Sequence, residues 1–570
     1  MIETDIVIIG GGVAGMTAAV TARKLGLEVL LVEKTPFYGG TTAYSGGAPW
    51  IPCNHVMKQA GYSDTRAAAE QYLHAVLGDM YDEPLISAFL DAAPEMTAFL
   101  ERESEVRFKP FAIPDYEALP GAARSRSLLT QEYDGALLGE HLKNLRLPLA
   151  QLMLFGSLQI EGADIHPLRK SLKSWPAFRH TAKLMRRFIA ERLGHGRGLR
   201  LKNGNALAAR LLRSCIDAGV TMWMRTPARA LVNEGGAVRG VVVEKDGQSV
   251  EIRARRGVLL ASGGFGANAD MRARYVPFAA HHWTLQPSGN VGEGIQMGQS
   301  AGGVLNETNA GQCIWTPVSV LRRKDGSTVP YPHIFIDRAM PGCIAVDTEG
   351  RRFVNEGGSY QVFVRTMHER GLTKAHLVAD RNFLRTYGLG LARPAPFDEK
   401  PYIEAGYLIE APTLGALASK IGADPGTLEQ TVLRFNELVA GGEDLDFGKG
   451  TDAHSRFRGD ASHQPHPCLA PIGAGPYYAL AIHPGDLSTV MGLNTDRDAR
   501  VLDRAGRVIP GLYAAGLDMN SIMRGLYPGG GASIGPAMTF GYIAARHMAQ
   551  NSSAAIPAAA QRQPELQAVS

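Results

Sequence analysis

The sequence predicts an α/β fold of two domains, the second inserted into the first. A strand, glycine turn, helix and strand pattern occupies residues 5–34, and a helix, strand and hairpin pattern occupies residues 204–266. A similar glycine-rich texture returns at residues 511–550. Between residues 312 and 485 the chain instead has longer loops with many Pro, His and aromatic residues. We therefore expect the outer segments to form one α/β domain and the middle segment to form another.

Length and composition agree with this division. At 570 residues the chain exceeds the size of a single hydrophobic core. We expect a first domain from residues 1–311 and 488–550, an inserted α+β domain from residues 312–487, and a disordered tail rich in Ala, Gln and Ser from residues 551–570. The 66 glycines exceed the usual share, as expected where the backbone approaches a cofactor closely.

Charge and cysteine content argue against several classes of protein. Lys and Arg number 59 against 55 Asp and Glu, a near balance that argues against a nucleic-acid partner. The five cysteines are scattered without a CxxC pair, and His281, His282, His333 and His483 lack the spacing of ligands, so no metal is expected. The first strand begins too early for a signal peptide and no apolar run suggests a membrane span, so we expect a cytoplasmic protein.

Glycines define the first turn. A β-branched run meets Gly10, Gly12 and Gly15, which open a helical run. Gly10 permits the tight turn, Gly12 lets a pyrophosphate approach the backbone, and Gly15 lets helix and strand pack closely. A second apolar run ends at Glu33, where a carboxylate accepts hydrogen bonds from the hydroxyls of an adenosine ribose. The unit predicts a dinucleotide site at the N-terminus of the helix.

The chain continues with a small-residue loop and two helices. Residues 36–50, PFYGGTTAYSGGAPW, form a loop whose backbone is suited to lining a flat ring system. Helical patterns follow at residues 64–77 and 84–103, and residues 108–139 are loop-like. The first loop is therefore a candidate ligand-lining segment.

Residues 169–193 form a basic, amphipathic stretch. Eight Lys and Arg residues are interleaved there with Leu172, Trp175, Phe178, Met185, Phe188 and Ile189. Such a pattern is typical of a solvated helix face, and it also occurs in helices that make a weak peripheral contact with a membrane surface. The solvated face is the simpler interpretation, and both remain open at this point.

Glycine-rich turns also occur in the later parts of the chain. The apolar run GVLLASGG predicts a buried strand that ends at a ligand-facing turn around Ala261 and Gly263. A helix at residues 425–439 is capped by Asp424 and has Pro425 at its first position. PGLYAAG then predicts a strand and turn, and SIMRGLYPGGGASIGPAM a glycine loop that opens the last helix.

With glycine-rich elements at its start, middle and end, the chain resembles the flavoproteins of the fumarate reductase and succinate dehydrogenase superfamily over residues 5–547. The resemblance implies FAD bound by a discontinuous Rossmann-like domain, with substrate held against the flavin by the inserted substrate-binding domain. Covalent members carry a histidine where GGTTAYSGG has Gly40, so non-covalent FAD is expected. The residues expected to contact FAD are Gly10, Gly12, Ala14, Gly15, Glu33, Lys34, Gly40, Thr41, Thr42, Ser45, Gly46, Gly47, Ala228, Ala261, Gly263, Gly516, Ser533 and Ile534.

Two positions indicate the branch of the superfamily. Fumarate reductases place an acid-catalyst arginine five residues after the Asn of an RFxNE motif, where RRFVNEGGSY has Tyr360. They place a substrate-clamping arginine in an NRLGG segment, where LYPGG has Tyr527. A phenol cannot replace the bidentate cation that a dicarboxylate needs, but it can donate a hydrogen bond to a ketone. Both exchanges resemble the 3-ketosteroid Δ1-dehydrogenases.

That resemblance assigns a role to four residues. Tyr527 and the backbone N–H of Gly531 would hold the substrate carbonyl, and Tyr360 would take a proton from the carbon beside it. Tyr116, from the PDY motif, would stabilise the phenolate of Tyr360, although the EALPGAARSRS segment after it matches the family only loosely. The implied partners are a small-molecule ketone and an unidentified electron acceptor. Desaturation of a smaller cyclic ketone, reduction of an enoate and a structural flavin without catalysis remain as alternatives.

Overall fold

The computed structural model describes residues 2–160, 164, 167–168, 171, 174–334 and 337–550. Arg169 and Leu172 of the basic stretch, and the whole of the predicted tail, lie outside the described residues. The strands of the described residues are β1 Ile2–Ile9, β2 Val29–Val32, β3 Phe108–Pro110, β4 Leu128–Thr130, β5 Tyr133–Asp134, β6 Met153–Leu154, β7 Leu158–Gln159, β8 Arg200–Leu201, β9 Thr221–Trp223, β10 Ala228–Glu234, β11 Ala237–Lys245, β12 Gln248–Leu260, β13 Trp283–Thr284, β14 Cys313–Arg322, β15 Thr328–Pro332, β16 Cys343–Val346, β17 Ala375–Asp380, β18 Leu408–Ala411, β19 Tyr477–Thr489, β20 Arg500–Leu502 and β21 Val508–Ala514.

Helices cover both sheets and the segments between them. The α-helices of the described residues are Val13–Lys24, His55–Gln59, Arg66–Leu77, Glu83–Glu103, Trp175–His195, Asn203–Asp217, Ala269–Tyr275, Glu293–Ser300, Tyr360–Glu369, Arg381–Tyr387, Lys400–Glu404, Leu414–Ile421, Pro425–Ala440, Ala453–Arg458 and Ile534–Gln550. Short 3-10 helices occur at Gly40–Tyr44, Gly78–Met80, Gly135–Asn144, Ala150–Leu152 and Ala279–His281.

The first sheet is a parallel sheet extended by a hairpin. Its parallel part runs in the order β9, β2, β1, β12 and β21, so that the first strand lies at the centre, between β2 and β12. The first half of β12 instead pairs antiparallel with β11, which forms the predicted hairpin with β10. Because the last strand of this sheet comes from residues 508–514, the domain is discontinuous in the sequence, as the resemblance implied.

The central strands are buried on both faces, which explains their continuous apolar runs. Helix Val13–Lys24 packs against helix Ile534–Gln550, so the first and last helices of the described residues meet. Gly541 allows the close approach, because a Cβ atom there would lie 2.5 Å from the carbonyl oxygen of Ala14. Residues of these two helices therefore belong to a single hydrophobic core.

The second sheet has β19 at its centre. Strands β14 and β17 pair antiparallel with the two edges of β19, β15 and β16 extend the sheet outward, and β13 and β18 add short pairings to β19. The strands range from Trp283 to Thr489, so the sheet begins well before the predicted limit of residue 312 and ends two residues after the predicted limit of residue 487. The domain limits themselves stay a prediction, but the strands of the middle segment do form a separate sheet.

Several local predictions agree with the structure. Helix Pro425–Ala440 is capped by Asp424, as predicted. The carboxylate of Asp424 accepts a hydrogen bond from the amide of Thr427 at 2.7 Å. The helix predicted at residues 64–77 begins two residues later, at Arg66, because Thr65 is its N-terminal cap. The loop-like stretch at residues 108–139 also contains three short strands, which the Pro- and Gly-rich sequence did not indicate.

Candidate active site

A cavity of about 1220 Å³ is lined by residues of both sheets. One end lies against the turn after β1, and the other lies among apolar residues of the second domain and of residues 149–185. Single-ligand pockets in proteins have volumes of about 300–1,000 Å³. The cavity is therefore large enough for more than one ligand, such as a dinucleotide and a substrate.

The glycine turn forms a cradle at the first end. Gly10 has φ +115°, and a Cβ atom there would lie 2.2 Å from the carbonyl oxygen of Ala261. Gly15 packs as predicted, because its Cβ atom would lie 2.0 Å from the carbonyl oxygen of Gly10. Gly12, in contrast, has no atom within 4 Å of the position of a Cβ atom, so its backbone borders open space. This arrangement fits a pyrophosphate that approaches the backbone at the helix N-terminus.

Glu33 lies beside the cradle and lines the cavity. Its Oε2 atom accepts a hydrogen bond from the amide of Gly11 at 3.0 Å, and its Oε1 atom accepts one from the amide of Thr35 at 2.8 Å. Each carboxylate oxygen has two lone pairs, so both keep the capacity to accept a hydroxyl of a bound ribose. The two amides fix the carboxylate in place before any ligand arrives.

The other predicted cofactor residues converge on the same space, with two exceptions. The cavity is lined by Gly10, Gly12, Ala14, Glu33, Lys34, Gly40, Thr41, Thr42, Ser45, Gly46, Ala228, Ala261, Gly263, Gly516, Ser533 and Ile534. Gly15 and Gly47 do not line it. Gly47 has a packing role instead, because a Cβ atom there would lie 2.2 Å from the carbonyl carbon of Asn203.

The sequence did not single out three residues of this region, of which Asn290 and Glu293 line the cavity and Asp518 holds backbone amides of the neighbouring turn. Asn290 donates a hydrogen bond to the hydroxyl of Thr41 at 2.9 Å. Glu293 forms an ion pair with Lys34. Asp518 is buried and accepts hydrogen bonds from the amides of Ser262 at 2.5 Å and Gly264 at 3.1 Å. None of these residues belongs to a glycine motif, so the pattern that identified the cradle carried no signal for them.

Three tyrosines meet where the cavity passes from the first domain to the second. The ring centroids of Tyr116, Tyr360 and Tyr527 are 5.6 to 5.7 Å apart in every pair. The hydroxyl of Tyr116 lies 3.5 Å from that of Tyr360, and the amide of Gly531 donates a hydrogen bond to the hydroxyl of Tyr527 at 3.3 Å. All four residues line the cavity. The structure thus brings together the four residues that the sequence proposed.

The loop that carries Tyr527 and Gly531 is held at its carbonyl groups. The carbonyl of Pro528 accepts hydrogen bonds from the hydroxyl of Tyr72 at 2.7 Å and from the amide of Tyr116 at 2.8 Å. Gly531 has φ +95°, and a Cβ atom there would lie 1.7 Å from the carbonyl oxygen of Ala48. Because the carbonyls are engaged by the protein, the loop keeps the amide of Gly531 beside the hydroxyl of Tyr527.

A buried polar network supports Tyr116 from behind. The neighbouring Asp115 accepts hydrogen bonds from the indole of Trp50 at 2.8 Å and from Arg126 at 2.7 Å. Arg126 also donates to Asp64 at 3.0 Å and to the carbonyl of Gly121 at 2.8 Å. Burial raises the pKa of Asp115 to about 6, although Arg126 acts in the opposite direction. The network fixes the PDY segment against the loop of Tyr527.

Tyr360 is the first residue of helix Tyr360–Glu369. Its neighbour Gln361 accepts a hydrogen bond from the amide of Trp315 at 2.6 Å and donates one to the carbonyl of Gly525 at 2.7 Å. The same side chain therefore ties the helix start to β14 and to the segment just before Tyr527. Long-range contacts of this kind position the phenols relative to one another.

Electrostatics around Tyr116 and Tyr360 favour their neutral forms. Burial raises the pKa of Tyr116 to about 12, although Arg458 and Arg338 nearby lower it. Burial also raises the pKa of Tyr360 well above its usual value, and Tyr116 and Tyr527 add to this shift. His454 packs on Tyr116 at a centroid distance of 4.3 Å, and burial lowers its pKa well below the usual range. Sequence reasoning missed Arg338, His454 and Arg458 because no motif marks them.

The far end of the cavity is apolar and is bordered by two segments. Residues 149–155 and 388–397 contribute most of the lining there. The second segment is held by two backbone hydrogen bonds, from the amide of Gly390 to Asp337 at 3.2 Å and from the amide of Leu391 to the hydroxyl of Tyr407 at 3.0 Å.

A chain of buried side chains joins these two anchors. His333 contacts Asp337 at 2.5 Å and Ser319 at 2.7 Å, and Ser319 contacts Tyr407 at 2.6 Å. His333 therefore connects the two side chains, Asp337 and Tyr407, that hold the segment of residues 388–397. Among the described residues, no group of three or more His, Cys, Asp or Glu side chains is arranged to hold a metal ion.

Comparison with known proteins identifies the cofactor. The model of the FAD binding domain family matches residues 5–534. The chain belongs to this family. Its FAD-binding fold and its near full-length relatives make it a flavoprotein oxidoreductase that acts on CH–CH groups, in the branch of the 3-ketosteroid Δ1-dehydrogenases.

Named relatives within the family act on ring ketones. The chain is 38% identical to 4-oxocyclohex-2-ene-1-carboxylate 5-dehydrogenase of Sinomonas cyclohexanicum, over 97% of this chain and 95% of that protein. It is 36% identical to 3-oxosteroid 1-dehydrogenase of Mycobacterium tuberculosis, over 96% and 98%. The crystal structure of 3-ketosteroid Δ1-dehydrogenase from Sterolibacterium denitrificans, in complex with 1,4-androstadiene-3,17-dione, superposes with a TM-score of 0.89 at 35% identity, over 96% of this chain and all of that one. No helix among the described residues is long and apolar enough to cross a membrane.

Proposed function

We propose that the protein desaturates a ring ketone at the bond next to the carbonyl group, and that its substrate is a 3-ketosteroid that it dehydrogenates at Δ1. The proposal depends chiefly on the convergence of Tyr116, Tyr360, Tyr527 and the amide of Gly531 in one apolar cavity beside the FAD cradle. A single residue of this set would be an ordinary buried tyrosine. Together they supply a carbonyl clamp and a proton acceptor within reach of one small substrate ring.

The clamp is formed by Tyr527 and Gly531. The amide of Gly531 donates to the hydroxyl oxygen of Tyr527 at 3.3 Å in the structure, so the two donor atoms are neighbours, and the amide would exchange this acceptor for the ketone oxygen when substrate binds. Removal of a proton from the carbon beside a ketone builds negative charge on the ketone oxygen. Donors that are already oriented at that oxygen lower the barrier, and each is typically worth about 3 to 4 kcal/mol. The held carbonyls of the loop provide that orientation.

Tyr360 is the proposed proton acceptor. Its raised pKa means that the phenolate is costly in the substrate-free cavity. The hydroxyl of Tyr116, 3.5 Å away, would donate to the phenolate oxygen as it forms. That separation is long for a hydrogen bond, but catalytic contacts often shorten only when substrate is bound. Arg338 and Arg458, which act on Tyr116 electrostatically, would stabilise the same negative charge.

FAD supplies the complementary chemistry, because when bound it accepts the hydride that leaves the next ring carbon. The cradle around Gly12 and the carboxylate of Glu33 would hold its pyrophosphate and ribose. We propose that no covalent bond attaches the cofactor, since Gly40 occupies the place of the linking histidine. Release of all flavin into the supernatant after acid precipitation would support this proposal, and flavin that stays with the pellet would refute it.

The apolar end of the cavity favours a steroid. Phe111, Ile314, Leu391, Tyr402 and Leu487 are among the residues that line the cavity, and they offer a hydrocarbon surface to a fused-ring substrate. A fused-ring substrate buries that surface, which contributes about 25 cal/mol per Å² of apolar area removed from water. Relatives named 3-oxosteroid 1-dehydrogenase match nearly the full length of the chain, in agreement with this choice.

A smaller cyclic ketone that carries a carboxylate is the second candidate. The cationic side chains of Lys109, Arg393 and Arg458 also line the cavity, and each is able to pair with a carboxylate. Two relatives from Sinomonas cyclohexanicum are named for substrates of this kind, at 38% and 34% identity. The same four catalytic groups would serve, because they contact only the carbonyl and the adjacent carbon.

Anaerobic titration of the oxidised holoenzyme distinguishes the candidates. Androst-4-ene-3,17-dione and 4-oxocyclohexanecarboxylate would be added in turn while the flavin absorbance near 450 nm is followed. We expect bleaching with the steroid and a product two mass units lighter with a second ring double bond. Bleaching only by the cyclohexane acid would transfer the assignment to the second candidate. No bleaching by any ring ketone would refute the proposed reaction itself.

A further inference from the structure

Arg146 lies at the cradle end of the cavity, although no glycine motif marks it. It follows the 3-10 helix Gly135–Asn144 and lines the cavity together with Lys34 and Thr35. Those two residues come directly after Glu33, whose carboxylate is expected to accept the ribose hydroxyls. Arg146 is therefore a cation beside the nucleotide end of the cavity.

The main chain of Arg146 is held on both sides. Its amide donates a hydrogen bond to the carbonyl of Tyr38 at 2.9 Å, and its carbonyl accepts one from the side chain of Asn205 at 2.6 Å. Asn205 is itself fixed, because its Oδ1 atom accepts a hydrogen bond from Gln159 at 2.7 Å. The side chain of Arg146 thus starts from a position that is set before any cofactor binds.

Two glycines lie between Arg146 and the glycine turn. A Cβ atom at Gly39 would lie 3.7 Å from the Cβ atom of Arg146, and a Cβ atom at Gly40 would lie 3.4 Å from the Cα atom of Gly12. The amide of Gly39 also donates a hydrogen bond to the carbonyl of Gly11 at 2.8 Å. Because neither glycine has a side chain, only a strip of backbone separates Arg146 from the turn.

The guanidinium group of Arg146 is oriented, but most of its donors are unused. Its Cζ atom lies 5.8 Å from the ring centroid of Phe37 and 5.9 Å from that of Tyr44, within the range of a cation–π contact. Its Nη2 atom donates a hydrogen bond to the hydroxyl of Thr35 at 3.1 Å. Its Nε atom is buried and has no hydrogen-bond partner among the described residues. Since an arginine carries five N–H donors, the group keeps the capacity to bind an acceptor.

The charge of Arg146 also has no carboxylate partner in the part of the chain that the structure describes. Lys34, a second cation at this end, forms an ion pair with Glu293. The carboxylate of Glu33 is engaged instead by backbone amides. A partly buried cation without a counter-ion is costly, and a bound anion offsets that cost. The cradle end therefore has a positive charge available to an anionic ligand.

We propose that Arg146 is a cofactor-binding residue whose guanidinium group pairs with the pyrophosphate of bound FAD. The planar group presents two parallel donors that match the oxygens of a phosphate. The pyrophosphate is the anionic part of FAD, whereas the adenosine is neutral and its ribose already has Glu33 as a partner. The amides of the glycine turn and Arg146 would then contact the pyrophosphate from different segments of the chain. This inference rests on FAD as the cofactor of the family and not on the proposed reaction.

Release of FAD from the holoenzyme tests the proposal. Each protein would be saturated with FAD, freed of excess cofactor and diluted, and the rise in free flavin fluorescence gives the dissociation constant. Arg146→Met keeps the length of the side chain but removes the charge and the donors, so FAD should bind about 10- to 100-fold more weakly. Arg146→Lys keeps the charge without the planar fork, and its affinity should lie between the two. Arg504→Met, at an exposed arginine, is the matched control and should release FAD like the unmodified protein.

Competition by ADP and by adenosine locates the contact within the cofactor. Either compound would be added to the holoenzyme, and the displaced flavin reports its affinity relative to that of FAD. In Arg146→Met the affinity for ADP should fall by the same factor as that for FAD, whereas the affinity for adenosine should change less than about twofold. Unchanged FAD affinity in Arg146→Met, or an equal loss for adenosine and ADP, would overturn the assignment. No readout depends on turnover, so failure of the proposed reaction leaves this test intact.

Discussion

The nucleotide cradle and the tyrosine cluster are built in opposite ways. Most of the cradle comes from one continuous stretch, in which strand β1, Gly10, Gly12 and the following helix are adjacent in sequence. The cluster draws Tyr116, Tyr360 and Tyr527 from three distant segments, and its rings still lie 5.6 to 5.7 Å apart. The cradle depends on backbone conformation, whereas the cluster depends on tertiary contacts made by side chains such as Tyr72, Arg126 and Gln361.

This difference implies two kinds of sensitivity. A methyl group added at Gly10 displaces the backbone, so it affects folding and FAD together. A hydroxyl removed from the cluster leaves the fold intact, because the rings remain packed, and it affects only the reaction. Substitutions in the two regions should therefore separate cofactor content from turnover.

The largest effect is expected from Gly10→Ala. Alanine at φ +115° is strained, and its Cβ atom would lie 2.2 Å from the carbonyl oxygen of Ala261. The free energy of unfolding should fall by at least about 2 kcal/mol, and the purified protein should contain little flavin. Thermal unfolding and the flavin-to-protein absorbance ratio measure the two losses.

Gly12→Ala is the matched control for that prediction. Its Cβ atom would meet no protein atom within 4 Å, so the apoprotein should unfold at nearly the same temperature as the unmodified one. The methyl group would instead occupy space intended for the pyrophosphate, and FAD affinity should fall. Equal thermal destabilisation by both variants would contradict the distinction between the two glycines.

Tyr360→Phe should have the next largest effect. Loss of a general base typically lowers turnover by about 10²- to 10⁴-fold. Because burial raises the pKa of Tyr360, the unmodified enzyme holds little phenolate at neutral pH, and its turnover should rise as the pH is increased toward 10. The variant should lose this rise as well as the rate, while its flavin content is unchanged. Steady-state rates from pH 6 to 10 make the measurement, and Tyr62→Phe at an exposed tyrosine is the control.

The cradle could be predicted from sequence alone, because the backbone conformation of a glycine turn depends on residues that are adjacent in the chain. Gly10, Gly12 and Gly15 behave as the glycine pattern indicated, and so do the hairpin of β10 with β11 and the helix capped by Asp424. Asn290, Asp518 and Arg458 were missed because their roles arise only when distant segments pack together. The tyrosine cluster was found through family resemblance, since no periodicity or spacing relates residues 116, 360 and 527.

Tyr527→Phe should lower turnover by about 10²- to 10³-fold, the usual effect of removing one donor from an oxyanion site. The amide of Gly531 would remain, so some activity should survive. Since the ring still packs between Tyr116 and Tyr360, neither FAD content nor the unfolding temperature should change. Stopped-flow reduction of the flavin by a ketosteroid measures the effect on the chemical step. Turnover equal to that of the unmodified enzyme would remove Tyr527 from the clamp.

The smallest effect is expected for Glu33→Gln, because Glu33 combines a place in the cradle with a role carried by its side chain. This side chain belongs to the cradle, yet it acts through its carboxylate. The carboxylate oxygens accept hydrogen bonds from the amides of Gly11 and Thr35 at 3.0 and 2.8 Å. In Glu33→Gln one oxygen becomes an amide donor, so one of these contacts and part of the proposed ribose binding are lost. A charge-assisted hydrogen bond is worth about 1.5 kcal/mol, which corresponds to about tenfold weaker FAD binding.

Reconstitution of the apoprotein with FAD, followed by protein fluorescence, measures the affinity. The control is Glu443→Gln, which changes an exposed side chain and should bind FAD like the unmodified protein. Turnover at saturating FAD should be unchanged. Among the described residues, no hydrogen bond joins the Glu33 carboxylate to a tyrosine of the cluster.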